Sequence, residues 1–163
     1  MKRETEAVLS YVPAVLAELL SGGRDRPPWG SMVEGTLVMA DVSGFTTMSE
    51  RLAEAGPEGA EQLTGIINGF FGGHLDSARE FGGDTLTFGG DAILLLFRDN
   101  GHADRAVAAA TKMLGDTQRM SSVDIAGGRV KLGMSIGAHS GTFLLAAAGD
   151  LRGTFIAIHA AIR

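Results

Sequence analysis

A chain of 163 residues that is 45% hydrophobic is sized for one domain with a buried core. It has no cysteine, which excludes disulfides, thiolate metal sites and thiol nucleophiles and fits a cytoplasmic setting. The formal net charge of −5, with 14 scattered basic residues of which only Lys2, Lys112 and Lys131 are lysines, leaves no electrostatic footprint for nucleic acid. No apolar run approaches the roughly 20 residues that span a bilayer. The opening MKRETEAVLSYVPAVLAELL mixes glutamate into its apolar stretch, unlike a signal peptide, so the mature chain is expected to begin near Met1 and to contact no membrane.

Val8, Val12, Val15, Leu16 and Leu19 recur at helical spacing, which predicts an amphipathic helix over 4–21 with Pro13 as a candidate kink. SGGRDRPPWG then reads as a linker, so residues 1–30 form a helix-and-linker segment ahead of a second unit spanning 31–163. GTLVMADV predicts a buried strand from 35, and GFTTMSERLAEAG a helix. After Pro57 at a helix start, Leu63, Ile66, Ile67, Phe70 and Phe71 predict a second helix. DTLTFGGDAILLLF is a hairpin turning near Gly89 and Gly90, and HADRAVAAATKMLGDTQRM is a further helix. RVKLGMSIGAHSG and TFLLAAAGD read as two strands, and TFIAIHAAIR as the start of a third. The order predicts an α+β fold: a ferredoxin-like βααββαβ core, an antiparallel-rich sheet with helices on one face.

Asp41 closes the first predicted strand and Asp91 lies just past the hairpin turn. In a ferredoxin-like sheet that strand borders the hairpin, so both carboxylates meet at one sheet end. Two carboxylates so close repel unless a divalent cation lies between them. Oxygen donors without His or Cys favour Mg²⁺ or Mn²⁺, which also hold substrate phosphates. Gly44 permits a sharp turn into a helix start, where the N–H groups of Phe45, Thr46 and Thr47 would face an anion. The bland reading makes Asp41 a helix cap and Asp91 a turn residue. It accounts for each stretch alone and poorly for both together.

MADVSGFTTMSERL together with FGGDTLTFGGDAILLLF resembles the catalytic domain of class III nucleotidyl cyclases, most closely the first catalytic domain of soluble adenylyl cyclase-type proteins, over about residues 33–163. The resemblance implies that Asp41 and Asp91 hold two metal ions, Mg²⁺ or Mn²⁺, with the backbone carbonyl of Val42 as a further ligand. It implies that Ser43, Gly44, Phe45 and Thr46 wrap the β- and γ-phosphates of a nucleoside triphosphate, ATP ahead of GTP. The implied reaction is attack of the ribose 3′-hydroxyl on the α-phosphorus, giving the 3′,5′-cyclic nucleotide and pyrophosphate.

The family's active sites form between two domains, and here the complementary half departs from the pattern. The base-recognising lysine position is Thr87, and the asparagine position aligns with Arg163 at the chain's end, with His159 where glycine is usual. The expected partner is therefore a second cyclase-type domain in a homo- or pseudo-heterodimer, and the isolated chain is expected to be weak or inactive. The end at Arg163 reads as a truncation. One alternative is a non-catalytic, degenerate domain that binds a nucleotide or a partner and regulates a fused enzyme. A diguanylate cyclase is less well matched, because Ala92 and Ile93 follow GGD where its signature has an acid. Asp84 reads as a turn or strand-start residue that could approach the cleft, and His139 as structural.

Overall fold

The computed structural model describes residues 13–21, 29–125, 128–150 and 153–160. Its organising element is strand β1 (Trp29–Ser43), whose side chains alternate at the strand period. Val38, Ala40 and Val42 are buried, while Met39 and Asp41 between them are exposed. The strand begins at Trp29, earlier than the apolar run at 35 suggests, because its first residues pair with Ala147, Ala146 and Leu145 of a long partner.

Helix α1 (Ala14–Ser21) precedes β1. Pro13 accepts its first hydrogen bond, Ala17 N–H to the Pro13 carbonyl at 3.0 Å, so proline starts this helix rather than kinking it. The rest of the expected 4–21 helix and most of the expected linker lie outside the described residues. Helices α2 (Phe45–Glu54) and α3 (Pro57–Glu80) follow β1. Strands β2 (Gly83–Gly89) and β3 (Ala92–Arg98) form the expected hairpin, and helix α4 (His102–Arg119) comes next.

Strand β4 (Ser122–Ile125), which the sequence pattern did not announce, pairs with β5 (Gly128–Lys131) in a separate ribbon, so the run RVKLGMSIGAHSG, read as one strand, is divided at Leu132 between that ribbon and the main sheet. β6 (Gly133–Asp150) is one unbroken strand where the pattern suggested two, and β7 (Gly153–Ala160) closes the described chain. Gly141, which reads as a breaker, stays in the ladder opposite Gly35. At Gly35 a Cβ would lie 2.5 Å from the Phe97 carbonyl, so the glycine there is a packing requirement.

The main sheet has the order β2-β3-β1-β6-β7 with every neighbour antiparallel. Its first four strands follow the ferredoxin-like order, and β7 adds an outer strand. Helices α2, α3 and α4 cover one face, where Val38, Ala40, Val42, Ile93, Leu95 and Phe97 meet Met48, Leu52, Phe70, Phe71 and Met113. Helix α1 lies against the other face, with Val15 packed on Leu86, Leu96 and Leu145. Among the described residues no helix is long and apolar enough to cross a membrane.

Between α3 and α4, His74 is fully buried against the edge of Phe70. Thr117 donates its hydroxyl to the Met113 carbonyl, so its oxygen accepts from His74 Nε2, and Nδ1 is left a bare acceptor without a partner. Burial first, then the Lys112 charge, push the His74 pKa below its ordinary value, against the opposing pull of Asp116. The unfolded chain therefore binds the proton more readily, and stability is complete above the ordinary value of 6.5 and declines below it. Urea unfolding should show stability falling by up to about 1.4 kcal/mol per pH unit from this group below pH 6.5, and His74→Leu should flatten that slope.

At the end of β1, Gly44 has φ of +88°, and a Cβ on it would lie 2.2 Å from the Lys131 carbonyl. Glycine alone fits both demands. Gly44→Ala should destabilise the fold by at least about 1 kcal/mol, read as a lowered urea midpoint with an unchanged slope.

Candidate active site

The register of β1 decides which groups gather at its C-terminal end. Asp41 pairs with Ala92 on one side and with Ser135 on the other. Asp91 sits in the turn immediately before Ala92, beside Val42, whose N–H donates to the Asp91 carbonyl at 3.3 Å. Two aspartates fifty positions apart thus become neighbours across one pair of strands. Asp41 lies on the sheet face opposite α2–α4 and is exposed. Asp91 is half-buried at the rim, in a turn that Gly90 enters at φ of +69°, so the strand pleat does not dictate its face.

The chain then leaves the sheet through Ser43 and Gly44 into α2. The first helical hydrogen bond runs from Met48 N–H to the Gly44 carbonyl at 3.1 Å, and no side chain caps the helix. The N–H groups of Phe45, Thr46 and Thr47 therefore precede the helical ladder and carry the positive end of its dipole. Phe45 anchors this turn with its ring edge-on to Phe71 at 6.1 Å. Thr46 is exposed and its carbonyl accepts from Ser49.

Thr87 lies on β2, opposite Leu94, exposed, with its hydroxyl donating to the Phe88 carbonyl at 3.3 Å. Arg163 lies outside the described residues. Asp84, which the sequence left between cleft and turn, caps α1: its two carboxylate oxygens accept from Ala14 N–H and Val15 N–H at 2.8 Å each. His139 is exposed on the open face beside Phe143, ring centroids 6.0 Å apart.

The donor set suits a hard divalent cation. Among the described residues no cluster of three or more acidic, histidine or cysteine side chains forms, so Asp41 and Asp91 have no third such side chain beside them. Mg²⁺ and Mn²⁺ are commonly held by one or two carboxylates, the remaining positions going to water and substrate phosphate.

Two neighbours of the site were not visible in the sequence, since only strand register reveals them. Ser135 faces Asp41 across β1 and β6, and Gly133 lies opposite Ser43, whose hydroxyl would be 2.6 Å from a Cβ placed there.

No family model matches the chain. It is 30% identical over 163 aligned residues to adenylate cyclase type 10 of Oryctolagus cuniculus, a match over 93% of this chain and 10% of that protein. The Homo sapiens adenylate cyclase type 10 is 38% identical over 91 residues, 53% of this chain and 6% of that protein. The chain thus spans a tenth or less of these curated relatives. Among solved structures, the guanylyl cyclase Cya2 is 27% identical with a TM-score of 0.63, over 81% of this chain and 66% of that one. A bacterial light-regulated adenylyl cyclase shares the fold at a TM-score of 0.75 and 18% identity, covering 98% of this chain and 45% of that one. Kinship in sequence and the shared fold together identify the chain as a class III nucleotidyl cyclase-type domain.

Proposed function

We propose that the chain supplies the metal- and triphosphate-binding half of a dimeric cyclase active site, converting a nucleoside triphosphate, ATP ahead of GTP, into the 3′,5′-cyclic nucleotide and pyrophosphate. The observation that carries the reading is the meeting of Asp41 and Asp91 at one sheet end, next to a helix start whose N–H groups no side chain caps.

In this reading the Asp41 and Asp91 carboxylates and the Val42 carbonyl hold two divalent ions, Mg²⁺ or Mn²⁺. When bound, such ions lower the pKa of an attacking hydroxyl and neutralise leaving phosphates. The protein's own share is placement. The turn Ser43–Gly44 brings the Phe45 and Thr46 N–H groups to the β- and γ-phosphates, and the rigid end of β1 fixes them relative to the carboxylates. The ribose 3′-oxygen bonds to the α-phosphorus as the α,β-bridging bond breaks, so pyrophosphate takes the electron pair. Neither aspartate has to be the final acceptor of the hydroxyl proton.

The base-recognising and transition-state groups come from a second cyclase-type domain. Thr87 is too short to act as a long cation, and each missing transition-state donor costs about 3 kcal/mol of barrier by the measure of an oxyanion hole. A second reading, a non-catalytic nucleotide-binding or regulatory domain, is favoured by Thr87 itself, whose hydroxyl is turned to the adjacent backbone.

Calorimetry with Mn²⁺ and a non-cyclising ATP analogue should show binding to the purified chain, weakened at least tenfold by Asp41→Ala and by Asp91→Ala. Unchanged binding in both variants defeats the site. The chain alone should turn over at least 100-fold more slowly than when mixed with a domain carrying the complementary Lys, Asn and Arg. No gain on mixing, with nucleotide binding intact, selects the regulatory reading.

A further inference from the structure

Helix α1 is only eight residues long, too short to persist in water on its own, so its contacts with the sheet hold it in place. Those contacts fall mainly on the β2–β3 hairpin, with Val15 also reaching Leu145 of β6. Asp84 of β2 receives the first two free N–H groups of the helix. One turn later Glu18 meets Arg98 of β3 in a two-pronged pair, Nη1 to Oε2 at 2.9 Å and Nη2 to Oε1 at 3.0 Å. Between these points Val15 is buried on Leu86 of β2 and Leu96 of β3. Helix α1 therefore straddles both strands of the β2–β3 hairpin near its open end, while Asp91 sits at the closed end.

The hairpin has reason to need such a clasp. Among the described residues β2 is the outermost strand of the sheet, with no strand partner on one flank, and a bulge between Thr85 and Thr87 interrupts its ladder. Thr87, Phe88, Gly89 and Gly90, which lead to Asp91, are all exposed. Alongside lies an open cleft of about 980 Å³ whose walls include Pro13, Ala14, Leu86, Phe88 and Arg98.

We propose that Asp84 and Arg98 are positioning residues: through α1 they clamp the β2–β3 hairpin and thereby set the affinity of the site at its tip. The metal part rests on the functional reading above; the mechanical part does not. Coupling of this kind is reciprocal, so a metal at the tip would in turn steady α1.

The test uses the full 163-residue chain, with hydrogen exchange and Mn²⁺ titration as the two readouts. Asp84→Ala should raise amide exchange at least tenfold in both 14–21 and 83–98 and weaken Mn²⁺ binding three- to tenfold, with exchange in β1 and β6 unaltered. Glu18→Gln, an exposed change that leaves the core intact, should do the same to a lesser degree. The double change Glu18→Gln with Arg98→Gln should loosen both readouts no further than Arg98→Gln alone, as for one shared ion pair. Loosening of 14–21 alone, with the hairpin and Mn²⁺ affinity unmoved, overturns the proposal. In Asp91→Ala, loss of Mn²⁺ binding validates the second readout. If Asp91→Ala keeps full Mn²⁺ affinity, the metal reading fails, and hydrogen exchange in the hairpin alone decides whether the clasp exists.

Discussion

The double pairing of β1 is the constraint on which the rest depends. From Gly35 to Asp41 the strand is bonded on both sides, to β3 and to β6, and the two registers are mutually fixed. A slip of one residue would put Met39 and Asp41 under the helices and turn Val38, Ala40 and Val42 outward. Burying an unpaired carboxylate costs several kcal/mol, and exposing three apolar side chains adds about 1–2 kcal/mol each. The hydrophobic core therefore specifies the position of Asp41, although Asp41 contributes nothing to that core.

Much of the fold was legible because it rests on local pattern. The apolar run GTLVMADV, the helical spacing of Leu63, Ile66, Ile67, Phe70 and Phe71, and Pro57 at a helix start each led to the observed element. The site was half legible. Asp41, Asp91 and Gly44 stood out because a helix cap and a turn residue account for each stretch alone but not for two aspartates beside glycine at the ends of apolar runs. Ser135 and Gly133 did not, since nothing in GMSIG announces that it lies opposite the end of β1. The continuity of β6 was equally hidden: Gly141 has the local mark of a breaker, and only its pairing with Gly35, itself crowded by the Phe97 carbonyl, explains its place in the ladder. β4 and β5 are four residues each, too short for alternation to be diagnostic.

The two faces of the sheet are stabilised to different degrees, and that difference has a use. The face under α2–α4 is close-packed, with Ile93, Leu95, Phe97, Met48 and Met113 fully buried. The opposite face holds a small cluster around Val15 and then becomes open, with Met39 52% exposed on the way to Asp41. In the proposed two-domain reading, the packed face would fix the ligands and the open face would present them. Local stability follows the same division, since an element held by few apolar contacts opens at lower free energy than the core.

The bulge in β2 bears on the missing lysine. Thr85 pairs with Leu95, which faces the helices, whereas Thr87 pairs with Leu94, on the open face. Two residues apart on a regular strand would share a face; the extra residue, Leu86, rotates Thr87 across to the other side. Leu86 itself is buried under α1 and so holds the bulge in place. The backbone thus still aims position 87 at the face that carries Asp41, while the side chain there is too short to cross to a neighbouring domain. Thr87→Lys would therefore place a long cation on the open face without rebuilding the strand.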